Sequence, residues 1–417
     1  VILRHTCENG LRIVTERIPS VRSVALGIWV GTGSKYENNV NNGISHFLEH
    51  MFFKGTKTRT AKEIAESFDE IGGNVNAFTS KEYTCYYARV LDQHAPIALE
   101  VLSDMYFNSV FDPEELEKEK NVVIEEISMY EDTPDDLVHD LIAQASYGKH
   151  PLGYSILGTE DVLRSLKRDD LLGYIDQRYL PSNTVITVAG NFEESLIEDI
   201  KQRFSSFNRK SSEAVVSTPD FTANVISQHK ATEQAHLCIS LPGFQVGHPD
   251  VYSLILLNNV LGGSMSSRLF QEIREERGLA YSVYSYHSSY KEAGTFTIYT
   301  GTASEHVGQV FDIVSHVLRD VADHGITDKE LNKGKEQLKG SLMLSLESTN
   351  SRMSRLGKNE LLVERHLTLD EMIAKIDKVT HESVHAVAKQ LFRSKLAMAM
   401  VSPLDGFPEN VKNDILL

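Results

Sequence analysis

Two histidines four residues apart, His46 and His50, with Glu49 beside them, are the residues of this chain best suited to chemistry. On a helix, such positions stack one turn apart on one face. Their imidazole nitrogens then face a common point, where a single tetrahedral cation can take both. Glu49 falls next to them, close enough to accept a proton from a water at that point without being a ligand itself. Gly43 and Ser45 before the pair and Lys54-Gly55 after it are helix start and stop signals. The plainer reading of the same residues is an amphipathic helix whose histidines meet solvent or core partners.

Two imidazoles leave a catalytic zinc short of its usual three protein donors. The helix predicted over residues 113–131 offers carboxylates: Glu119 and Glu126 share nearly one face, whereas Glu125 points about 100° away. One carboxylate of that face can reach a metal, and its neighbour can orient a histidine from behind. Taken alone, the same face reads as a solvated one. In the second half, Arg274 and Tyr281 bracket Glu275-Glu276-Arg277-Gly278-Leu279-Ala280. An arginine and a tyrosine so spaced can bring a cation and a phenolic donor to a developing oxyanion. Read locally, ordinary packing is the stronger explanation of both, and Arg277 competes for the arginine role. Asn74 to Thr79, after Gly72-Gly73, alternates as an exposed strand does, and a peptide can add to such a strand through main-chain hydrogen bonds.

The elements that must position these groups belong to a chain of 417 residues, a length that suits two domains. With 41% hydrophobic and 24% charged residues it has material for packed cores. Residues 24–30 and 83–91 read as strands, and residues 61–71 as a helix capped by Thr60 and ended by Gly72-Gly73. Further helices are predicted over 95–108 and 113–131, the latter opened by Pro113. Strands and helices do not alternate strictly, so the class expected is α+β, with helices on a mainly antiparallel sheet. The pattern also repeats. Residues 24–28 resemble 235–239, 44–48 resemble 252–256, 112–116 resemble 327–331, and 184–188 resemble 396–400, each roughly 210 positions on and in the same order. Two similar domains follow, over 1–209 and 224–417, joined by a linker at 210–223.

The net charge of −16 disfavours nucleic acid, whose phosphates it would repel. No apolar run approaches the ~18 residues needed to cross a bilayer, so no membrane partner is expected. The first residues lack the layout of a signal peptide. Three scattered cysteines, Cys7, Cys85 and Cys238, fit neither a disulfide framework nor a thiolate metal site. A reducing, cytoplasmic setting is expected.

His46-Phe47-Leu48-Glu49-His50 with Glu126 further along resembles the inverted-zincin signature of the pitrilysin/insulinase metallopeptidase family, which includes mitochondrial processing peptidase. Gly43-Ile44-Ser45, Asn76-Ala77-Phe78-Thr79, His150-Pro151-Leu152-Gly153 and Leu157-Gly158-Thr159 extend the likeness along the chain. The resemblance implies a Zn2+ bound by His46, His50 and Glu126, with Glu49 as general base and Glu119 as supporting acid. It further implies that Arg274 and Tyr281 act on the scissile carbonyl and that Asn76, Ala77 and Phe78 bind peptide substrate. Leu254, Leu257, Asn258 and Ser341 stand where the first half has His46, Glu49, His50 and Glu126, so the second half should be metal-free. Large members of the family place the metal and the Arg/Tyr pair in different domains of a four-domain clamshell. A two-domain chain holding both sets implies half a clamshell and a homodimer, with Arg274 and Tyr281 serving the partner's site. The resemblance also covers subunits that assemble without cleaving, but those typically lack part of the zinc set.

Overall fold

The computed structural model describes all residues, 1–417, as two compact units. Each is an α+β unit built on one mainly antiparallel sheet. In the first, β1 (Ile2–Thr6), β2 (Arg12–Arg17), β3 (Ser23–Val30), β4 (Asn74–Thr79), β5 (Thr84–Leu91) and β6 (Thr184–Gly190) lie in the order β1-β2-β6-β3-β5-β4. Only β2 and β6 run parallel. In the second, β7 (Val225–His229), β8 (Ala235–Pro242), β9 (Ala280–Ser289), β10 (Gly294–Thr302) and β11 (Ala397–Ser402) lie in the order β7-β11-β8-β10-β9, with only β7 and β11 parallel. Leaving β1 aside, the two orders correspond strand for strand. The sequence repeat is therefore a repeat of topology.

The helices of the first unit are α1 (Ile44–Met51), α2 (Ala61–Asp69), α3 (Ala95–Asn108), α4 (Pro113–Glu131), α6 (Glu160–Ser165), α7 (Arg168–Arg178), α8 (Glu194–Phe204) and α12 (Thr349–Leu362). The second unit has α5 (Pro134–Tyr147), α9 (Val251–Gly262), α10 (Val307–His324), α11 (Asp328–Ser345), α13 (Leu369–Asp377) and α14 (His381–Leu391). The last residues of α4 and α11 cross from one unit to the other along the chain. Local signals account for several helices: Thr60 and Glu63 form the capping box that opens α2, and Pro113 begins α4. No helix is long and apolar enough to cross a membrane.

Neither unit is one stretch of sequence. Residues 129–153 group with the second unit and 344–366 with the first, while 210–223 form no helix or strand. Each sheet thus has its own helices on one face and, on the other, a helix from the opposite half of the chain. Met353, Leu356 and Leu361 of α12 pack on Val14, Ala25, Trp29, Cys85 and Val185. Leu137, Val138, Ile142 and Ala145 of α5 pack on Cys238, Ala397, Ala399 and Val401. Burial on both faces explains why β3, β6 and β11 read as continuous apolar runs instead of alternating. The approach is close enough that a Cβ on Gly357 would lie 2.1 Å from Trp29 Cε2, so α12 needs glycine where it crosses the indole.

Candidate metal centre

Helix α1 is short, and its start is held from outside. Gly43 takes a left-handed conformation (φ 104°) and provides no side-chain cap. The buried Glu37 carboxylate replaces it, accepting hydrogen bonds from Gly43 N (2.8 Å), Ser45 N (2.8 Å) and Asn42 Nδ2 (3.0 Å). Those amides would otherwise be orphan donors at a positive helix end. The Tyr174 hydroxyl bridges Ser45 and Thr32, tying α1 to α7 and to the end of β3. Phe47, Leu48 and Met51 enter the core, and the helix then turns at Gly55 (φ 119°).

The opposite face carries His46 and His50. Nε2 of His46 lies 3.7 Å, and Nε2 of His50 3.4 Å, from Oε2 of Glu126 on α4. One ligand atom from each of the three falls within 4.8 Å of the others, the only such metal-ligating group in the chain. Zn–N and Zn–O bonds of about 2.0–2.1 Å put tetrahedral donors roughly 3.4 Å apart, so this nitrogen and oxygen set fits zinc. Behind it, Nδ1 of His50 meets Oε1 of Glu119 at 2.8 Å, leaving Nε2 to face the group. Nδ1 of His46 is buried and has no hydrogen-bond partner. Glu126 is 44% exposed at its side chain, so the group opens to solvent on that side. Glu125, the competing carboxylate, points outward.

Charges in the group are divided unevenly. Burial, helped by the neighbouring His50, depresses the His46 pKa to about 4. Burial pulls His50 down too, but the Glu119 and Glu126 carboxylates outweigh it and raise His50 to about 9. The contact with His50 holds Glu126 low. Glu119 is low as well: burial pushes it up, but His50 and Lys54 more than offset that. Glu49 is pushed up, mainly by burial and against the hydrogen bond it accepts from Thr79 Oγ1 (2.5 Å). His46 is thus kept neutral and two carboxylates ionised, Glu49 has raised basicity, and the proton that the carboxylates hold on His50 is the one a cation at this point would displace.

Asn76, Ala77 and Phe78 lie on β4, which is an edge of its sheet and pairs only with β5. Phe78 turns inward against Trp29, ring centroids 5.5 Å apart, whereas Asn76 is exposed. Arg274 and Tyr281 belong to the second unit, where they meet each other. The Arg274 guanidinium stands 4.7 Å from the Tyr281 ring centre and 4.7 Å from that of Phe270. Arg274 lies in a π-helical turn, Phe270–Glu275, a geometry often found at functional sites. Arg277 instead donates to the Glu272 carbonyl oxygen (2.8 Å), which separates the two candidate arginines. Tyr281 is 76% exposed.

Three contributors had no part in the site assigned from the sequence: Glu37, Thr79 and Lys54, the last of these read only as a helix stop. Lys54 Nζ lies 3.2 Å from Oε2 of Glu119. Its helical spacing from His50 was a usable signal; nothing local marks Glu37 as a helix cap.

Residues 12–160 match the family model described as "Insulinase (Peptidase family M16)", and residues 165–338 match "Peptidase M16 inactive domain". The chain is 58% identical over 408 residues to the "Uncharacterized zinc protease YmxG" of Bacillus subtilis (strain 168), covering 98% of this chain and 100% of that one. It is 40% identical over 414 residues to the "Uncharacterized zinc protease SCO5738" of Streptomyces coelicolor, covering 97% and 90%. A solved structure of a peptidase M16 inactive domain from Pseudomonas fluorescens superposes with a TM-score of 0.90 at 22% identity, over 98% of this chain and 99% of that one. A protease from Helicobacter pylori gives 0.89 at 22%, over 97% and 99%. At such identity these two likenesses speak to fold alone. Matched by family models in both halves, and more than half identical to a relative over nearly all of both chains, this protein belongs to peptidase family M16, the insulinase family.

Proposed function

We propose that the chain is a zinc-dependent endopeptidase acting as a homodimer on unfolded peptides or presequence-like segments. The observation that carries this reading is the meeting of His46, His50 and Glu126 around one point, with Glu49 next to His50. Relatives named zinc proteases support it. His46, His50 and Glu126 would hold the zinc ion, which when bound would supply the Lewis acidity that makes water a nucleophile near neutral pH. Glu49 takes the proton from the attacking water and passes it to the leaving amine. Thr79 holds one Glu49 oxygen and so aims the other. Glu119 keeps hydrogen on Nδ1 of His50 and thereby turns its Nε2 lone pair outward.

The edge of β4, along Asn76, Ala77 and Phe78, receives the peptide as an added strand, which gives affinity with little sequence preference. Arg274 and Tyr281 of the partner subunit stabilise the oxyanion, the cation resting on the phenol ring that donates the hydrogen bond. Free Cys7, Cys85 and Cys238 support a reducing, cytoplasmic setting.

Size-exclusion chromatography coupled to a quenched-peptide assay, with and without a chelator, tests this. Dimers whose turnover stops with chelator and returns with zinc are expected. Glu49→Gln should bind zinc yet lose about 10²–10⁴-fold in kcat. Full activity in that variant would remove Glu49 as the base, and chelator-resistant turnover would remove the metal.

A further inference from the structure

We infer that Lys54 is a positioning residue of the metal site, acting on His50 through Glu119. This rests on the reading that His46, His50 and Glu126 hold zinc. The carboxylate of Glu119 is divided between two partners: Oε1 meets Nδ1 of His50 at 2.8 Å, and Oε2 meets Nζ of Lys54 at 3.2 Å. Glu119 is only 5% exposed, so water does little to fill either role. A buried carboxylate with one committed oxygen can rotate about its last bond. One held at both oxygens cannot, and the ring it supports is then fixed in tautomer and tilt.

The backbone beneath Lys54 is built to hold it there. Its N–H bonds to the Met51 carbonyl oxygen (3.1 Å), and the following Gly55 accepts from Val110 N (3.2 Å). Thr56 bridges to Ser109, and its hydroxyl donates to Asp104 (2.7 Å). Lys54 therefore leaves a pinned turn directly after α1 and reaches across to α4, joining the two helices that carry the ligands. Charge agrees with geometry. Glu49, Glu119 and Glu126 bring three negative charges to a dication, and the Lys54 ammonium brings the sum to neutral.

Removing Lys54 has two opposed effects on zinc. It takes a positive charge from the neighbourhood, which favours the cation, and it frees Glu119, which disfavours it. The side chain is 32% exposed, so its field at a distance is screened, whereas its contact with Oε2 is direct. Loss of orientation should win.

Zinc affinity of the full chain, measured by competition with a chromophoric chelator, provides the test. Lys54→Met should weaken binding about tenfold, the lower end of the effect of losing an outer-shell partner. Lys54→Arg, which keeps a donor and the charge, should recover most of it. In a Glu119→Gln background, Lys54→Met should add nothing, because its route to His50 is already cut. Equal losses in both backgrounds, or failure of arginine to rescue, would mean that Lys54 acts only through the fold and would overturn the inference. A wild-type chain that binds zinc while Lys54→Met binds it equally well would overturn this inference alone. A wild-type chain that binds no zinc would overturn the metal reading and this one together.

Discussion

Helices α1 and α9 occupy equivalent places in two sheets of the same strand order, yet only α1 carries side chains that could hold a metal. His46, Glu49 and His50 on α1 correspond to Leu254, Leu257 and Asn258 on α9, and Glu126 on α4 to Ser341 on α11. The leucines are fully buried in the second core. Asn258 accepts a hydrogen bond from Ser285 Oγ on β9 (2.7 Å), much as Glu49 accepts one from Thr79 on β4. A strand hydroxyl thus meets the helix in both units. The same scaffold carries a candidate metal centre in one unit and a packed core in the other according to four side chains, so site and fold are separable here.

Transplanting residues between the halves is the most severe way to break this comparison. Glu126→Ser gives the first half the residue of the second, and should abolish both zinc binding and peptide cleavage, read by metal analysis and turnover. The reverse exchange should not create a site but damage a core. Leu257→Glu places a carboxylate where the leucine is fully buried, with no partner on α9, and should cost about 3–5 kcal/mol of stability in denaturant unfolding. Tyr281→Phe asks whether the second half, without metal ligands, still contributes chemistry. A loss of about 10²–10³-fold in kcat with zinc content unchanged is expected; an unchanged kcat would confine Tyr281 to packing.

The smallest effect concerns histidines outside the candidate metal centre. His139 on α5 lies between the hydroxyls of Tyr286 (2.7 Å) and Tyr284 (3.1 Å). Burial lowers its pKa, opposed by Asp136 and Asp135 and reinforced by His236, which burial also lowers. A histidine depressed in the fold takes up its proton more readily in the unfolded chain. Its contribution is therefore present above the usual value near 6.5 and is lost as pH falls through the depressed folded value. Thermal melts should show a lower melting temperature at pH 5 than at pH 7, and a smaller drop in His139→Gln.

Much of this was legible along the chain. Thr60, Gly72-Gly73 and Pro113 mark helix ends because capping and backbone freedom act over a few residues. The α+β class followed from such local patterns, and the repeat exposed the shared topology of the sheets. The exchange of α5 and α12 between the two halves was not legible. An amphipathic helix shows that it has an apolar face but not which sheet will cover it.

Helical periodicity alone set His46 and His50 on one face with Glu49 beside them, because 3.6 residues per turn leaves no other arrangement. Which carboxylate would meet them, which would stand behind His50 and which cation would hold that second carboxylate depended on α4 lying against α1, a matter of core packing between segments far apart in the chain. The buried cap at Glu37 and the reach of Lys54 to Glu119 belong to the same level: contacts that exist only after two helices and a loop have closed around a shared apolar core.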